Sequence, residues 1–124
     1  GHSDADVLSH AIADAVLGAL GLPDIGHYFP PSDPSIEGIS SLIILKKCQT
    51  LAEEKGCQIV NIDSTLIAEV PRVLPYRERM QKMIADALNL QPALIGIKAT
   101  TNERMGFVGR GEGMAAMAVA SVAS

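Results

Sequence analysis

The sequence SDADVLSHAIADAVLGAL, residues 3–20, has the clearest periodic pattern in the chain and sets the fold class. Its apolar residues recur four positions apart and form one face of a helix, made of Val7, Leu8, Ala11, Ile12, Ala15, Val16, Ala19 and Leu20. Ser3 or Asp4 can cap the start of this helix, and Gly21 with Pro23 ends it. We therefore predict an amphipathic helix over these residues.

The residues that follow this helix predict a long loop and then a second helix. Residues 21–41 contain four prolines together with frequent glycine and serine, a composition typical of a loop. A loop of this length in a small domain is usually functional or disordered. Ser40 or Ser41 can cap a second helix, which we expect to run to about Lys55 with Gly56 as its C-terminal glycine.

The rest of the chain predicts two strands, a helix between them and a final apolar segment. Residues 57–69 alternate in polarity, which predicts a strand whose apolar face comprises Val60, Ile62, Leu66 and Ala68. Pro75 suits the first turn of a third helix that ends near Asn89, with a buried stripe of Tyr76, Met80, Met83, Ile84, Ala87 and Leu88. Residues 94–101 predict a second strand. Segment 113–122 is so rich in alanine that its composition allows either a helix or a strand.

Composition and element order indicate a single α/β domain over residues 1–124. Hydrophobic residues make up 48% of the chain and aromatic residues 3%, so disorder is excluded and the core must be aliphatic. The net charge of −4, without a basic stripe, argues against nucleic acid and anionic membranes as partners. No apolar run approaches the roughly 18 residues of a membrane span. Cys48 and Cys57 fit no C-x-x-C spacing, which indicates free thiols in a reducing compartment.

The polar face of the first helix is a candidate site. Asp6, His10 and Asp14 follow one another at four-residue spacing, so they line up along the helix. An imidazole between carboxylates can be a metal ligand or a general base, but the same spacing also describes an ordinary solvated face. His2 and Ser3 stand at the helix start, where backbone N–H groups favour phosphate, although the local sequence alone favours a plain serine cap with an exposed histidine beside it.

Two further segments carry groups suited to a nucleotide. Residues 98–113, KATTNERMGFVGRGEG, combine the hydroxyls of Thr100 and Thr101 with the Glu103 carboxylate and four glycines. Hydroxyls and open backbone N–H groups suit a phosphate, and a carboxylate can hold a divalent cation that bridges phosphates. A flexible hairpin connection is the alternative. Residues 69–75, EVPRVLP, form a rigid segment whose backbone can bind a flat polar ring, although such segments are more often simple turns.

Taken together and in this order, four motifs resemble one known family. They are GHSDADVLSHAIADAVLGALGLPDIG (1–26), FPPSDP (29–34), DSTLIAEVPRVLP (63–75) and KATTNERMGFVGRGEG (98–113), and they span nearly the whole chain. In these residues the chain resembles the 2-C-methyl-D-erythritol 2,4-cyclodiphosphate synthases of the non-mevalonate isoprenoid pathway.

The resemblance implies a function, a fold and an assembly. The implied enzyme is a phosphorus-oxygen lyase that cyclises 4-diphosphocytidyl-2-C-methyl-D-erythritol 2-phosphate and releases CMP. It implies a homotrimer with Zn²⁺ and with Mg²⁺ or Mn²⁺ in active sites between subunits. It also implies a small mixed sheet with helices on one side, packed around the trimer axis, which favours a strand for residues 113–122. The implied location is the bacterial cytoplasm, with the plastid stroma left open.

The resemblance also assigns roles to individual residues. His10 matches a zinc ligand, Glu103 matches a ligand of the second cation, and His2 and Thr101 match stabilisers of the transition state. The positions matching phosphate and diphosphate contacts are His2, Ser3, Thr100, Thr101, Asn102 and Glu103. The positions matching the ribose turn and the loop over the methylerythritol part are Asp24, Ile25, Gly26, Phe29, Pro30, Pro31, Ser32 and Asp33. The positions matching the cytosine pocket are Ala68, Glu69, Val70, Pro71, Arg72, Val73 and Leu74, and those lining a cavity on the trimer axis are Phe107 and Arg110.

The chain departs from the family pattern at a few points. Pro31 stands where many relatives carry an aspartate, and Arg72 stands where lysine is also common. The other two zinc ligands of the family come from an Asp-x-His motif upstream of Gly1, so we expect this chain to lack the N-terminal strand or hairpin. The absent ligands, together with Phe107 and Arg110, leave a second hypothesis, a non-catalytic trimeric module that binds a nucleotide or an isoprenoid diphosphate.

Overall fold

The computed structural model describes residues 2–30, 40–68, 76–100, 106 and 114–124, and the side chains from residue 5 onward. In these ranges the chain forms four α-helices, three strands and one short 3₁₀ turn. They are α1 (His2–Ala19), α2 (Ile25–Tyr28), α3 (Ser41–Glu54), β1 (Gln58–Ile67), α4 (Arg77–Leu88), the 3₁₀ turn Pro92–Leu94, β2 (Ile95–Thr100) and β3 (Ala115–Ala123). The predicted element order is confirmed, with α2 as an addition inside the predicted loop. None of the helices in these ranges has the length and apolarity needed to cross a membrane.

The three strands form a mixed sheet with helices on one face. Strand β1 lies in the centre, parallel to β2 and antiparallel to β3. Helix α1 packs against β3 and β1, α4 packs against β2, and α3 packs against both of these helices. The core between sheet and helices is aliphatic, as the composition predicts, and its largest fully buried side chains are Leu8, Ile12, Leu17, Leu45, Ile62, Leu66, Leu88 and Ile95. The predicted α/β class with a small mixed sheet is confirmed.

Helix α1 buries a face that is rotated slightly from the predicted one. Leu8, Ile12, Val16 and Leu20 are buried as predicted, but Ala19 is exposed and the neighbouring positions Ser9, Ala13 and Leu17 are buried instead. The reason is that α1 packs against the sheet and α3 at the same time, so residues on both flanks of the apolar stripe are covered. The polar face of α1 stays exposed.

Strand β1 contains an irregularity that changes which residues face the core. Ile59 pairs with Val122 and Asn61 pairs with Ser121, so Val60 is an extra residue without a partner on β3. Such a β-bulge reverses the alternation of side chains along the strand. The prediction that Val60 faces the core is therefore wrong: its side chain is 45% exposed, and Ile59 is buried in its place.

Helix α3 begins and ends as the sequence predicts. The Ser40 hydroxyl accepts a hydrogen bond from the Leu42 backbone N–H at 3.2 Å, which caps the first turn. Gly56 follows the helix with φ of 69°, a left-handed conformation that glycine adopts without strain.

Helix α4 also ends at the predicted residue, but its buried face is narrower than expected. Asn89 closes the helix in the left-handed region with φ of 57°. Tyr76 and Met83 are exposed, so their predicted burial is wrong, because Tyr76 precedes the helix and Met83 lies at the edge of the buried stripe. Ala85 is buried in addition to the predicted residues. The prediction for Pro75 lies outside the described residues.

Candidate active site

The polar face of α1 holds two carboxylates that bind neighbouring elements. The Ser41 hydroxyl at the start of α3 donates a hydrogen bond to the Asp6 carboxylate. The Ile25 backbone N–H at the start of α2 donates to Asp14 Oδ1 at 3.0 Å. The exposed His10 lies between them along the helix and makes no hydrogen bond or ion pair within the described residues. The carboxylates therefore flank His10 in sequence but bind other groups.

The short helix α2 carries the predicted ribose turn on the surface. Asp24 occupies the N-cap position with extended backbone angles, and its side chain makes no capping hydrogen bond. Its backbone carbonyl accepts the N–H of His27 at 3.1 Å, and the Ile25 carbonyl accepts the N–H of Phe29 at 2.8 Å. Gly26 is exposed between them. These two backbone hydrogen bonds hold residues 24–29 together, and the Ile25 N–H joins the start of the turn to Asp14.

The ends of β1 and β2 bring two other predicted segments to one edge of the sheet. Because these strands are parallel, Ile67 and Thr100 are paired neighbours at their C-terminal ends. Just beyond the strand, the Ala68 backbone N–H donates to the Thr100 carbonyl at 3.0 Å. Ala115, at the start of β3, pairs with Ile67 on the other side. The structure therefore joins the first residue of the predicted cytosine pocket to the first residue of the predicted diphosphate segment.

Other predicted site residues fall outside what the structure describes. His2 and Ser3 belong to α1, but their side chains are outside the described part. Phe29 and Pro30 are half-buried after α2. The predictions that lie outside the described residues are those for Pro31, Ser32, Asp33, Glu69, Val70, Pro71, Arg72, Val73, Leu74, Thr101, Asn102, Glu103, Phe107 and Arg110.

The described residues do not by themselves complete a metal site. Within the described ranges, no group of three or more His, Cys, Asp or Glu side chains is placed to hold a metal ion. His10 is accessible and offers an imidazole nitrogen, but Asp6 and Asp14 bind Ser41 and Ile25. A catalytic zinc ion normally has three protein ligands. These residues therefore fit one ligand position and no more.

The two cysteines are free thiols, as the sequence predicts, and one of them is deeply buried. Cys48 lies on α3 and its thiol contacts the Ala13 carbonyl at 3.7 Å. Burial, reinforced by the negative charge of Asp14, raises the pKa of Cys48 to about 12. A thiol that stays protonated and buried at neutral pH cannot serve as a nucleophile.

A small apolar cavity lies between the N-terminal parts of α1, α3 and α4. Its volume is about 90 Å³, and its lining includes Asp6, Ser9, Ser41, Met80 and Met83. Among the described residues that the sequence singles out as candidates, only Asp6 lines it. The cavity adjoins the Asp6–Ser41 hydrogen bond.

The comparison with known families settles which family contains this chain. A family model described as the YgbB family matches residues 1–123. The chain belongs to the YgbB family. Curated relatives of the chain carry the name 2-C-methyl-D-erythritol 2,4-cyclodiphosphate synthase, which confirms the family resemblance of the motifs.

Two of these relatives show the extent of the match. The protein from Akkermansia muciniphila is 60% identical over 122 residues, covering 98% of this chain and 72% of the relative. The protein from Acaryochloris marina is 56% identical over 124 residues, covering all of this chain and 77% of the relative. The chain thus spans about three quarters of the length of these YgbB family proteins.

Solved structures agree with the fold. The Plasmodium falciparum IspF complex with CDP has a TM-score of 0.79 and 32% identity, over 94% of this chain and 69% of that one. The bifunctional IspDF from Campylobacter jejuni has a TM-score of 0.87 and 39% identity, over 94% of this chain and 31% of that larger protein. The arrangement of helices and strands is therefore that of solved IspF domains.

Proposed function

We propose that this chain is the subunit of an enzyme that cyclises 4-diphosphocytidyl-2-C-methyl-D-erythritol 2-phosphate to 2-C-methyl-D-erythritol 2,4-cyclodiphosphate and releases CMP. The observation that carries the proposal is the 60% identity to a curated synthase over nearly the whole chain. The IspF structure with bound CDP supports a cytidine nucleotide as the part of the substrate that is recognised.

The proposed reaction is an intramolecular phosphoryl transfer. An oxygen of the 2-phosphate attacks the β-phosphorus, the bond from that phosphorus to the bridging oxygen breaks, and CMP leaves with the electron pair. The attacking oxygen is already an anion, so no strong general base is needed. Positioning of the two phosphates and neutralisation of their charge account for the rate.

The residues of this chain are proposed to supply that positioning. Ala68 begins the cytosine pocket and Thr100 begins the diphosphate segment, and the hydrogen bond between their backbones fixes the spacing of the two. Asp24 with Gly26 contacts the ribose from the exposed start of α2. His2 and Thr101 are proposed to stabilise the transition state, with the remaining predicted residues in the roles that the family resemblance gives them.

The proposed reaction also requires bound metal ions. His10 is proposed as one ligand of Zn²⁺, whose other ligands come from outside the described residues, and Glu103 as a ligand of Mg²⁺ or Mn²⁺. Bound divalent cations would supply positive charge and polarise the phosphoryl oxygens. The chain itself has a net charge of −4, so it does not supply that positive charge without them.

A homotrimer with the sheets facing inward is proposed as the working assembly. The sheet face opposite the helices has no covering element among the described residues, and Met117 and Val119 of β3 are 65% and 69% exposed on it. Apolar side chains that are exposed together on an uncovered sheet face are typical of subunit interfaces. The proposed compartment is the bacterial cytoplasm or the plastid stroma, in keeping with the free thiols.

Phosphorus NMR of the chain with the diphosphocytidyl substrate, Zn²⁺ and Mg²⁺ tests the proposal. The expected products are CMP and a cyclic diphosphate. The same measurement on the chain extended upstream with a relative's N-terminal segment separates loss of metal ligands from absence of catalysis. Bound substrate without CMP release in both forms would support the non-catalytic binding module instead.

A further inference from the structure

The sheet face opposite the helices carries one pair of opposite charges. Because side chains alternate along a strand, every second residue of β1, β2 and β3 points away from the helices. Among these outward-facing residues of the described strands only two are charged, Asp63 on β1 and Lys98 on β2. The chain as a whole has a net charge of −4, so this face is neutral on a protein that is otherwise acidic.

The two charges neutralise each other across neighbouring strands. Lys98 Nζ lies 3.0 Å from Asp63 Oδ2. In the register of β1 and β2, Asp63 is opposite Gly96 and not opposite Lys98, so its side chain runs diagonally over β2 to reach the ammonium group. Gly96 presents no side chain there, and a Cβ atom added to it would stand 3.0 Å from Asp63 Oδ1. Both carboxylate oxygens therefore lie over β2.

The ion pair contributes little to the folding of a single subunit. The side chains of Lys98 and Asp63 are 60% and 54% exposed, and an ion pair in contact with water is only weakly stabilising. Its immediate neighbours on β3 are apolar: Val119 lies opposite Asp63, and Met117 lies opposite Thr65, the β1 residue that pairs with Lys98. The charges gain a larger effect when this face is covered and water is removed from it.

The chemistry of this face favours a second copy of the chain as its partner. Identical surfaces carry identical charges, so an unpaired charge on the face would bring like charges together when copies meet, which is unfavourable. Neutralisation within each copy removes that repulsion, and the exposed Met117 and Val119 supply apolar area. A strongly acidic or basic partner protein would instead require unpaired charges of the opposite sign on this face.

We propose that the Asp63–Lys98 pair is a determinant of self-assembly: the two residues neutralise each other within one subunit and so allow this sheet face to be buried against other copies of the chain. The inference rests on the proposed homotrimer and names the residues on which that assembly depends. Removal of either charge leaves the other one unpaired in a region without water, which is far less favourable than burial of the neutral pair. Removal of both charges makes the face neutral again.

The test measures assembly in two single variants and in their combination. Asp63→Asn and Lys98→Met each remove one charge with little change in shape. Analytical ultracentrifugation gives the concentration at which half of the chain is assembled, and each single variant should raise it at least about a hundredfold. The double variant should return to within about tenfold of the unaltered chain, because no charge is left unpaired. If Lys98→Met does not fold, Lys98→Gln replaces it with the same expectation.

Matched controls separate this role from a general effect of charge or of folding. Lys82→Met and Asp86→Asn make the same substitutions at exposed positions of α4, which lies on the other side of the sheet. Both should assemble as the unaltered chain does. Urea unfolding, followed by circular dichroism at a dilution where every form is monomeric, should give nearly the same midpoint for the unaltered chain, the single variants and the double variant.

The possible outcomes distinguish the inference from the proposal beneath it. An unaltered chain that stays monomeric contradicts the proposed homotrimer, and the inference falls with it, whereas CMP release tests the proposed reaction separately. Single variants that assemble like the unaltered chain overturn the inference and leave the homotrimer intact. A double variant that dissociates as readily as the single variants also overturns it, because assembly then depends on the particular side chains and not on an unpaired charge.

Discussion

The Ser41 hydroxyl donates a hydrogen bond to the Asp6 carboxylate and so joins the first residue of α3 to α1. The adjacent Ser40 accepts from the Leu42 N–H and caps α3 locally. Two neighbouring serines thus act differently: one begins the helix, and the other fixes its place against α1.

The two serines should therefore differ in their energetic coupling to Asp6. A double-mutant cycle of Asp6→Ala with Ser41→Ala, measured by urea unfolding, should give a coupling energy of about 1–2 kcal/mol, since the bond has a charged acceptor. The matched cycle of Asp6→Ala with Ser40→Ala should be additive within about 0.5 kcal/mol. Equal coupling in the two cycles would contradict the assignment of the bond.

Replacement of His10 tests the proposed zinc ligand. In the chain extended upstream with a relative's N-terminal segment, we expect His10→Ala to lose bound zinc and to abolish CMP release, because no other described side chain offers an unengaged imidazole on that face of α1. Zinc content by mass spectrometry and CMP release by phosphorus NMR are the measurements. His27→Ala on α2 is the matched control and should retain zinc. Near-normal turnover of His10→Ala with zinc retained would refute the role of His10.

The buried thiol of Cys48 predicts a loss of stability in alkali. Its pKa is raised from 9.0 to about 12, so between these values the folded chain keeps a proton that the unfolded chain releases. The contribution of the thiol is fully present below pH 9 and declines as the pH rises, by at most about 1.4 kcal/mol per pH unit.

Chemical unfolding at several pH values from 8 upward measures this effect. Cys48→Ala should show a shallower fall of the unfolding free energy than the unaltered chain, while Cys57→Ala should follow the unaltered chain. The prediction fails if the Cys48→Ala profile is as steep as that of the unaltered chain.

The uncovered sheet face predicts the effect of a charge on assembly. Val119→Lys should convert the proposed trimer to monomers, because a charged lysine would be buried at the interface. In the monomer this lysine would lie opposite the negatively charged Asp63, so the monomer should stay folded. Light scattering after size-exclusion chromatography gives the mass. Ile43→Lys, at a 48% exposed position on α3, is the control and should remain trimeric. If Val119→Lys remains trimeric, the proposed interface does not include this face of β3.

Patterns within one element predicted the fold well, and relationships between elements were harder to predict. The N-cap at Ser40 and the left-handed residues Gly56 and Asn89 are determined by local backbone chemistry, so the sequence indicates them directly. The outward turn of Val60 depends on a bulge that exists only when β3 pairs with β1. No pattern inside residues 57–69 records that pairing.

In the candidate site, too, contacts between different elements could not be predicted from the sequence. Four-residue spacing correctly placed Asp6, His10 and Asp14 on one exposed face. The partners of the two carboxylates, Ser41 and the Ile25 N–H, are 35 and 11 residues away along the chain. Periodicity carries no information about contacts of that kind, so the hydrogen bond from the Ile25 N–H to Asp14 could not be predicted from the sequence.

The position of β3 in the sequence has a consequence for synthesis on the ribosome. The central strand β1 is complete at residue 67, but the partner on one of its edges consists of residues 115–123. Until those residues emerge, one edge of β1 has no antiparallel partner and α1 lacks part of the surface on which it packs. We therefore expect the nascent chain to be most vulnerable to aggregation and to chaperone capture during the interval in which β3 is still being translated.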